Sequence, residues 1–320
     1  MEEGVPCSYK MIEGKSRADY RKGVFWSFSS AFLWSTTFIC ARYLMRDRLI
    51  DPVSLSFIRF FAGGILLFVF GLFFFRARLF SVKAKDLPYL AFLAIFGMVG
   101  MSVFVFFGQQ STTAINGSMI IQLNPVVIFF LGLLIGERAS LIQFIGILIS
   151  LAGCLFVVNV INMHGFIYDF NHLSGDLMVF ASACCWAIYS VLGKKSVKRF
   201  GGYAVTTWTM LFGALELLVM LMIMPGEIVV PDAISAWSVI AYLAVFPTAV
   251  AFFAWFEAMD KIELSLLNVM QYLAPAFTVV LAWLLLGERI SLLNSFGIIL
   301  VIAGVVLTSR QPVPSKPNGQ

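Results

Sequence analysis

The sequence is short of charge, histidine and reactive motifs. Only 12% of its 320 residues are Asp, Glu, Lys or Arg, while 60% are apolar. So little charge cannot cover a water-soluble domain of this size, so lipid is the expected solvent for most of the chain. The mean hydropathy of +0.93 points the same way. Two histidines, His164 and His172, are too few for a metal site. The five cysteines (Cys7, Cys40, Cys154, Cys184, Cys185) show no CxxC or metal-type spacing, and four lie in or beside apolar runs, where they read as small hydrophobes. No structural disulfide, metal or cofactor is expected. GxSxG, HExxH, GxGD and P-loop stretches are all missing, which removes the usual signatures of an intramembrane enzyme or an ATP-driven pump. An appended sensor domain is not expected either, because residues 310–320 read as a short tail. Nothing in the charge pattern points to a nucleic acid.

What the chain does have is apolar runs. A helix crossing the hydrocarbon layer needs about 20 residues. Ten runs qualify as expected spans: 23–43, 53–75, 87–107, 115–136, 141–160, 175–193, 203–224, 236–257, 264–286 and 291–309. The first 22 residues are polar and charged, and no cleavable signal peptide is expected before the first run. With that segment in the cytoplasm, 17 of the 22 Lys and Arg fall on the cytoplasmic side and four (Arg42, Arg46, Arg48, Arg289) on the other, with Arg59 inside a span. That asymmetry is what the positive-inside rule demands of ten helices with both termini in the cytoplasm. The expected location is the cytoplasmic (inner) membrane, multi-pass.

The runs repeat. LLIGERAS (133–140) returns as LLLGERIS (284–291), and from Leu133 to Gly153 against Leu284 to Gly304, 11 of 21 positions are identical. Pro125 matches Pro275, and Gly23-x10-Trp34 matches Gly175-x10-Trp186. The expected domains are a cytoplasmic segment (1–22), a first repeat (23–160), a second repeat (175–309) and a cytoplasmic tail (310–320). Five spans is an odd number, so a second copy that starts on the opposite side of the membrane must be inverted. Two inverted halves around one central site are the architecture of many secondary transporters. Each GER reads as a turn device, with glycine ending one helix and the charged pair staying at the interface. The small residues that follow (Gly146, Ser150, Gly153; Gly297, Ala303, Gly304) read as a packing stripe and as a surface on which a homodimer could form.

This pattern resembles the EamA family of the drug/metabolite transporter superfamily. The residues that carry the resemblance are NVMQYLAPAFTVVLAWLLLGERISLLNSFGIILVIAGVVL (268–307), its weaker first-half twin, the tryptophan in the middle of spans one and six, and IRFFAGG (58–64). The resemblance covers about residues 22–309. It implies an all-α membrane protein of ten helices in two inverted five-helix repeats, with a cavity lined chiefly by spans 1, 3, 4, 6, 8 and 9. It also implies transport of amino acids, other small metabolites or toxic compounds, often outward. Two positions depart from the family pattern: the first proline stands one residue closer to its GER than the second does, and Pro247 sits in span eight where glycine is commoner.

Polar residues inside lipid-embedded helices are costly unless they face protein or a wet cavity. Ser30, Trp34 and Thr37 form one stripe of span one, matched by Ser182, Trp186 and Tyr189 in span six. Tryptophan usually sits at the headgroups, yet both of these fall at mid-span. They read either as aromatic walls of a substrate cavity or as plain packing. Spans four and nine carry a second pair of stripes, Ser118, Gln122, Pro125 and Asn268, Tyr272, Pro275, with Asn124 and Gln271 beside them. Each proline removes a helix hydrogen bond and should free the carbonyl four residues earlier, at Ile121 and Gln271. Such a break serves either a solute or a simple kink. Gln109, Gln110 and Trp255 are candidates for the cavity ends. Arg59 reads as a structural, snorkelling charge. Glu216 is open to three readings: a partner of Arg59, a carboxyl protonated by burial, or the carrier of a coupling proton. Glu257 reads as interfacial. No Lys or Arg lies deep in a second-half span, which argues against phosphorylated substrates.

The expected function is a permease for a small organic metabolite, an amino acid or related compound, working by alternating access and outward. The rival is uptake or exchange of a scavenged solute, nucleoside-like or S-adenosylmethionine-like, on the same fold. An intramembrane enzyme or sensor is the reading from another class.

Overall fold

Lipid offers no hydrogen bonds, so apolar runs of this length must satisfy their backbone internally, and helices do so. The computed structural model describes residues 17–134, 141–157, 161–162, 165–166, 172–223, 229, 231–259, 261, 270, 273–287 and 289–309. In order, the helices are α1 (Arg17–Arg46), α2 (Pro52–Phe74), the single turn α3 (Arg76–Leu79), α4 (Leu87–Ala94), α5 (Met101–Gln109), α6 (Ala114–Ile120) and α7 (Asn124–Leu134). They continue with α8 (Leu141–Val157), α9 (Leu173–Phe200), α10 (Gly202–Ile223), α11 (Ile234–Leu243), α12 (Ala251–Met259), α13 (Leu273–Leu281) and α14 (Leu292–Ser309). A two-residue antiparallel pairing, β1 (Ile161–Asn162) with β2 (Gly165–Phe166), lies between α8 and α9.

Among the described residues six helices are long and apolar enough to cross a membrane: Ala18–Arg46, Pro52–Phe74, Ala84–Gln109, Leu173–Gly193, Gly202–Ile223 and Ile234–Trp255. Shorter apolar helices (Ala114–Ile128, Phe144–Gly153, Phe277–Leu286 and Leu292–Gly304) fall in the remaining runs. Large apolar side chains such as Phe73, Phe74, Met222, Ile223, Leu292 and Ile299 face outward, as a lipid-facing surface requires. The chain is a multi-pass membrane protein whose described residues are predominantly helical.

Local chemistry sets the helix ends. Asp51 caps α2, its Oδ1 accepting from the backbone N–H of Val53 (3.0 Å) and Ser54 (2.8 Å), with Pro52 in the first turn. Thr113 caps α6 in the same way, accepting from Asn116 N–H at 3.0 Å. The second GER stretch, GERIS, holds a stop and a start. Gly287 ends its helix at φ +66, a left-handed conformation that favours glycine. Ser291 then opens α14: its Oγ accepts from Asn294 N–H (3.0 Å) while Asn294 Oδ1 accepts from Ser291 N–H (3.1 Å). The first GER lies outside the described residues.

Of three π-helical turns among the described residues, one (Ala282–Leu286) ends at Gly287 and two interrupt longer helices. Ile95–Gly100 joins α4 to α5, and Ala244–Val250 joins α11 to α12. In the second, Pro247 has no N–H to give Leu243 O, four residues back. In the π register the backbone donor to Leu243 O is Thr248 N–H, five residues on, and the Thr248 hydroxyl donates to the same carbonyl at 2.8 Å.

The helix pairs set the core. α2 packs on α10, α5 on α9, α1 on α12 and α13, α7 on α9, and α8 on α14. Gly64 of α2 lies against Met210 and Leu211, and Gly71 against Tyr203, so α2 and α10 run antiparallel. α5 and α9 are also antiparallel, with Gly108 against Gly175 and Val179, and Gly100 against Cys185. At Gly153 of α8 an added Cβ would lie 2.8 Å from Gly297 O and 2.6 Å from Val301 N of α14. Gly153 of the small-residue stripe therefore closes a contact inside the chain.

Candidate functional site

The central feature is a row of aromatic rings built on three helices. Trp34 projects from α1, Trp186 and Tyr189 from α9, and Phe252 and Trp255 from α12. Trp34 meets Phe252 edge-on, with centroids 5.2 Å apart, and tilts against Trp255 at 5.4 Å. Trp186 meets the same Phe252 at 6.4 Å and leans on Tyr189 at 5.5 Å. The two matched tryptophans thus converge on one phenylalanine. Edge-to-face geometry fixes their planes relative to one another. The Trp34 indole N–H donates to Pro247 O at 3.0 Å, tying α1 to the π-turn that follows α11.

The other expected site residues divide sharply. Ser30 is buried and Thr37 half-buried, and neither hydroxyl has a hydrogen-bond partner among the described residues. Asn124 is half-buried with its Oδ1 unpartnered, and Gln122, also half-buried, stands in the 3₁₀ turn Ile121–Leu123, which packs on α9. These groups retain capacity for a solute. The hydroxyls of three others are bonded within the protein: Ser118 donates to Ile115 O (2.8 Å), Ser182 to Met101 O (2.6 Å), and Tyr189 pairs with Thr209 Oγ1 (3.3 Å). Asn268, Gln271 and Tyr272 lie outside the described residues, and so does the carbonyl that Pro275 was expected to free.

Pro125 follows the break rather than making an open carbonyl. Ile121 O accepts from Asn124 N–H, because the chain tightens into a 3₁₀ turn just before α7 begins. The carbonyl expected to be free at Ile121 therefore has a backbone donor. Pro275 stands in the first turn of α13.

Arg59 is 5% exposed and does not snorkel outward. Its Nε donates to Thr248 Oγ1 at 3.1 Å, and its Cζ lies 5.5 Å from the Phe60 ring centroid and 5.2 Å from that of Phe106. The α2–α10 register sets Glu216 level with Arg59. The two are nonetheless unpaired: Glu216 Oε2 is buried without a partner among the described residues. Glu257 pairs with Lys261, one turn on. Gln109 is fully buried with both amide atoms unpartnered, whereas Arg42 donates to its backbone oxygen at 3.0 Å.

Phe252 and Thr248 were not anticipated from sequence. Phe252 carries no polar atom and no repeat mark. Thr248 had one signal, a hydroxyl placed directly after a mid-span proline.

The fold and this aromatic centre define a class, the multi-pass helical membrane proteins with a polar-flanked core. The family model of the EamA-like transporter family matches the chain twice, over residues 21–159 and 173–310, and the chain belongs to that family. It is 30% identical over 222 residues to "Uncharacterized transporter YyaM" of Bacillus subtilis, covering 68% of this chain and 71% of that one. It is 29% identical over 231 residues to the "Probable terminal-alkyne amino-acid exporter" of Streptantibioticus cattleyicolor, covering 72% and 75%. A solved crystal structure, 23% identical, superposes with a TM-score of 0.64 over 91% of this chain and 96% of that one, which shows the shared fold.

Proposed function

We propose that the protein is a secondary transporter that exports a small organic metabolite, an amino acid or related compound, across the cytoplasmic membrane by alternating access. In this reading ten helices form two inverted five-helix repeats, with both termini in the cytoplasm. The observation that carries it is the meeting of Trp34 and Trp186 on Phe252. Corresponding residues of two repeats reach one central point, as a carrier that opens to either side requires. The helix pairs support the same arrangement. α5 on α9 corresponds to α12 on α1 when the halves are exchanged, α7 on α9 corresponds to α13 on α1, and the equivalent α2 and α10 run antiparallel.

The substrate is held between the tryptophans and the unbonded polar groups of Ser30, Thr37, Gln122 and Asn124. The name of the Streptantibioticus relative favours an amino acid and outward flux. Uptake of a scavenged solute would use the same fold with the opposite gradient. The family and the absence of a catalytic motif favour a carrier over an enzyme. Glu216, buried at Oε2 and unpaired, is the proposed site of a coupling proton.

Counterflow of labelled solutes in proteoliposomes, with and without a pH gradient, tests these assignments. Trp34→Ala, Trp186→Ala and Gln122→Ala should each reduce transport at near-normal protein abundance. Normal transport by all three would remove the site. Glu216→Gln should abolish pH-gradient dependence, and unchanged coupling would remove that glutamate from the mechanism.

A further inference from the structure

We propose that Arg59 is the anchor for a carboxylate on the transported solute, so that the substrate class is a monocarboxylate with an apolar or aromatic body. The inference rests on the carrier reading above and names the chemistry of its ligand.

A guanidinium carries five N–H donors in a planar fork. Arg59 is the one buried Lys or Arg among the described residues, and only its Nε–H is bonded, to a neutral hydroxyl. No carboxylate among the described residues forms an ion pair with it, although Glu216 stands at its level on the next helix. The rings of Phe60 and Phe106 flank the cation. A buried charge with so few partners is costly until an anion joins it. The Nη edge of the fork matches the two oxygens of a carboxylate. A phosphate dianion calls for more than one cation, and no second one is buried among the described residues.

The position fits a solute. The hydroxyl that holds Arg59 belongs to Thr248, and the neighbouring carbonyl of Pro247 holds the Trp34 indole. A carboxylate on the Nη edge would therefore place the rest of the molecule beside the Trp34–Phe252–Trp186 row. One turn along α5 from Phe106, the Gln109 amide is fully buried with both polar atoms unbonded, a second group that lacks a partner in the protein alone.

The test uses the full chain in lipid nanodiscs, with the standard L-amino acids and the carboxamide of each as probes. Thermal shift identifies binders and calorimetry gives their affinities. At least one amino acid should bind wild type roughly ten- to hundredfold more tightly than its carboxamide, the range for a hydrogen-bonded charge. Arg59→Gln should abolish that ratio, and Arg59→Lys should keep part of it. Equal binding of acid and amide to wild type overturns the proposal, as does a ratio that survives Arg59→Gln or a complete lack of binding by the acids. The wild-type pair decides the matter even where a variant folds poorly. Proteoliposome counterflow separates the two claims: transport of neutral or cationic solutes alone keeps the carrier and rejects the carboxylate anchor.

Discussion

The two π-turns that lie inside longer helices make the most instructive comparison in the molecule. They interrupt helices about 150 residues apart, at corresponding places in the two halves. The first is held by packing. Gly97 and Gly100 leave gaps that the Tyr189 ring and the Cys185 sulfur fill, so that an added Cβ would lie 2.5 Å and 2.8 Å from them. The second is held by hydrogen bonds: Pro247 O accepts from Trp34, while Thr248 accepts from Arg59 and donates to Leu243 O. One backbone defect is thus maintained by two unrelated means, small residues under a ring in one half and a polar clasp in the other. Sequence symmetry between repeats does not imply chemical symmetry at their centre.

Substitutions can break each side of this comparison separately, read as shifts in the unfolding midpoint of purified protein. The largest effect is expected from Gly97→Val, which drives a branched side chain into Tyr189 and should cost about 3 kcal/mol by overpacking. Unchanged stability would mean that the ring is free to move aside. Thr248→Val keeps the shape of the clasp but removes its hydroxyl, leaving Arg59 Nε unpaired, at a cost of about 2 kcal/mol. Thr248→Ser should recover most of the loss, and failure to do so would locate the effect in the methyl group. The smallest contrast is Trp34→Phe against Trp186→Phe. Both lose the same ring area, but only Trp34 loses an indole hydrogen bond to a described residue. Trp34→Phe should therefore be the less stable by about 1 kcal/mol, and equal midpoints would show that the Pro247 contact carries little energy.

The apolar runs and the repeat were legible because both are written in residue type and spacing. The mid-span tryptophans were legible for the same reason: an indole far from the headgroups is out of place unless something central uses it. The hydroxyls were harder to read. Ser118, Ser182 and Tyr189 look equivalent to Ser30 and Thr37 in one dimension, yet the first three find partners in the fold and the last two do not. Which hydroxyl is bonded depends on a neighbouring helix or on how tightly a turn is wound. The Ile121 carbonyl shows the same limit. Pro125 removes one donor, and the 3₁₀ turn supplies another from Asn124. Arg59 was visible as a charge, but its depth and its neutral partner emerge only when α2 lies beside the turn that contains Thr248.

At Gly153 the main chain of α8 lies so close to α14 that an added Cβ would meet the backbone at Gly297 O and Val301 N as well as the Leu300 Cβ. Helices seated backbone to backbone resist sliding, since any shift along the axis drives a neighbouring side chain into the opposite ribbon. In the proposed alternating-access cycle this pair is the fixed post, and a fluorescent distance label across it should read the same whichever side of the membrane the solute leaves.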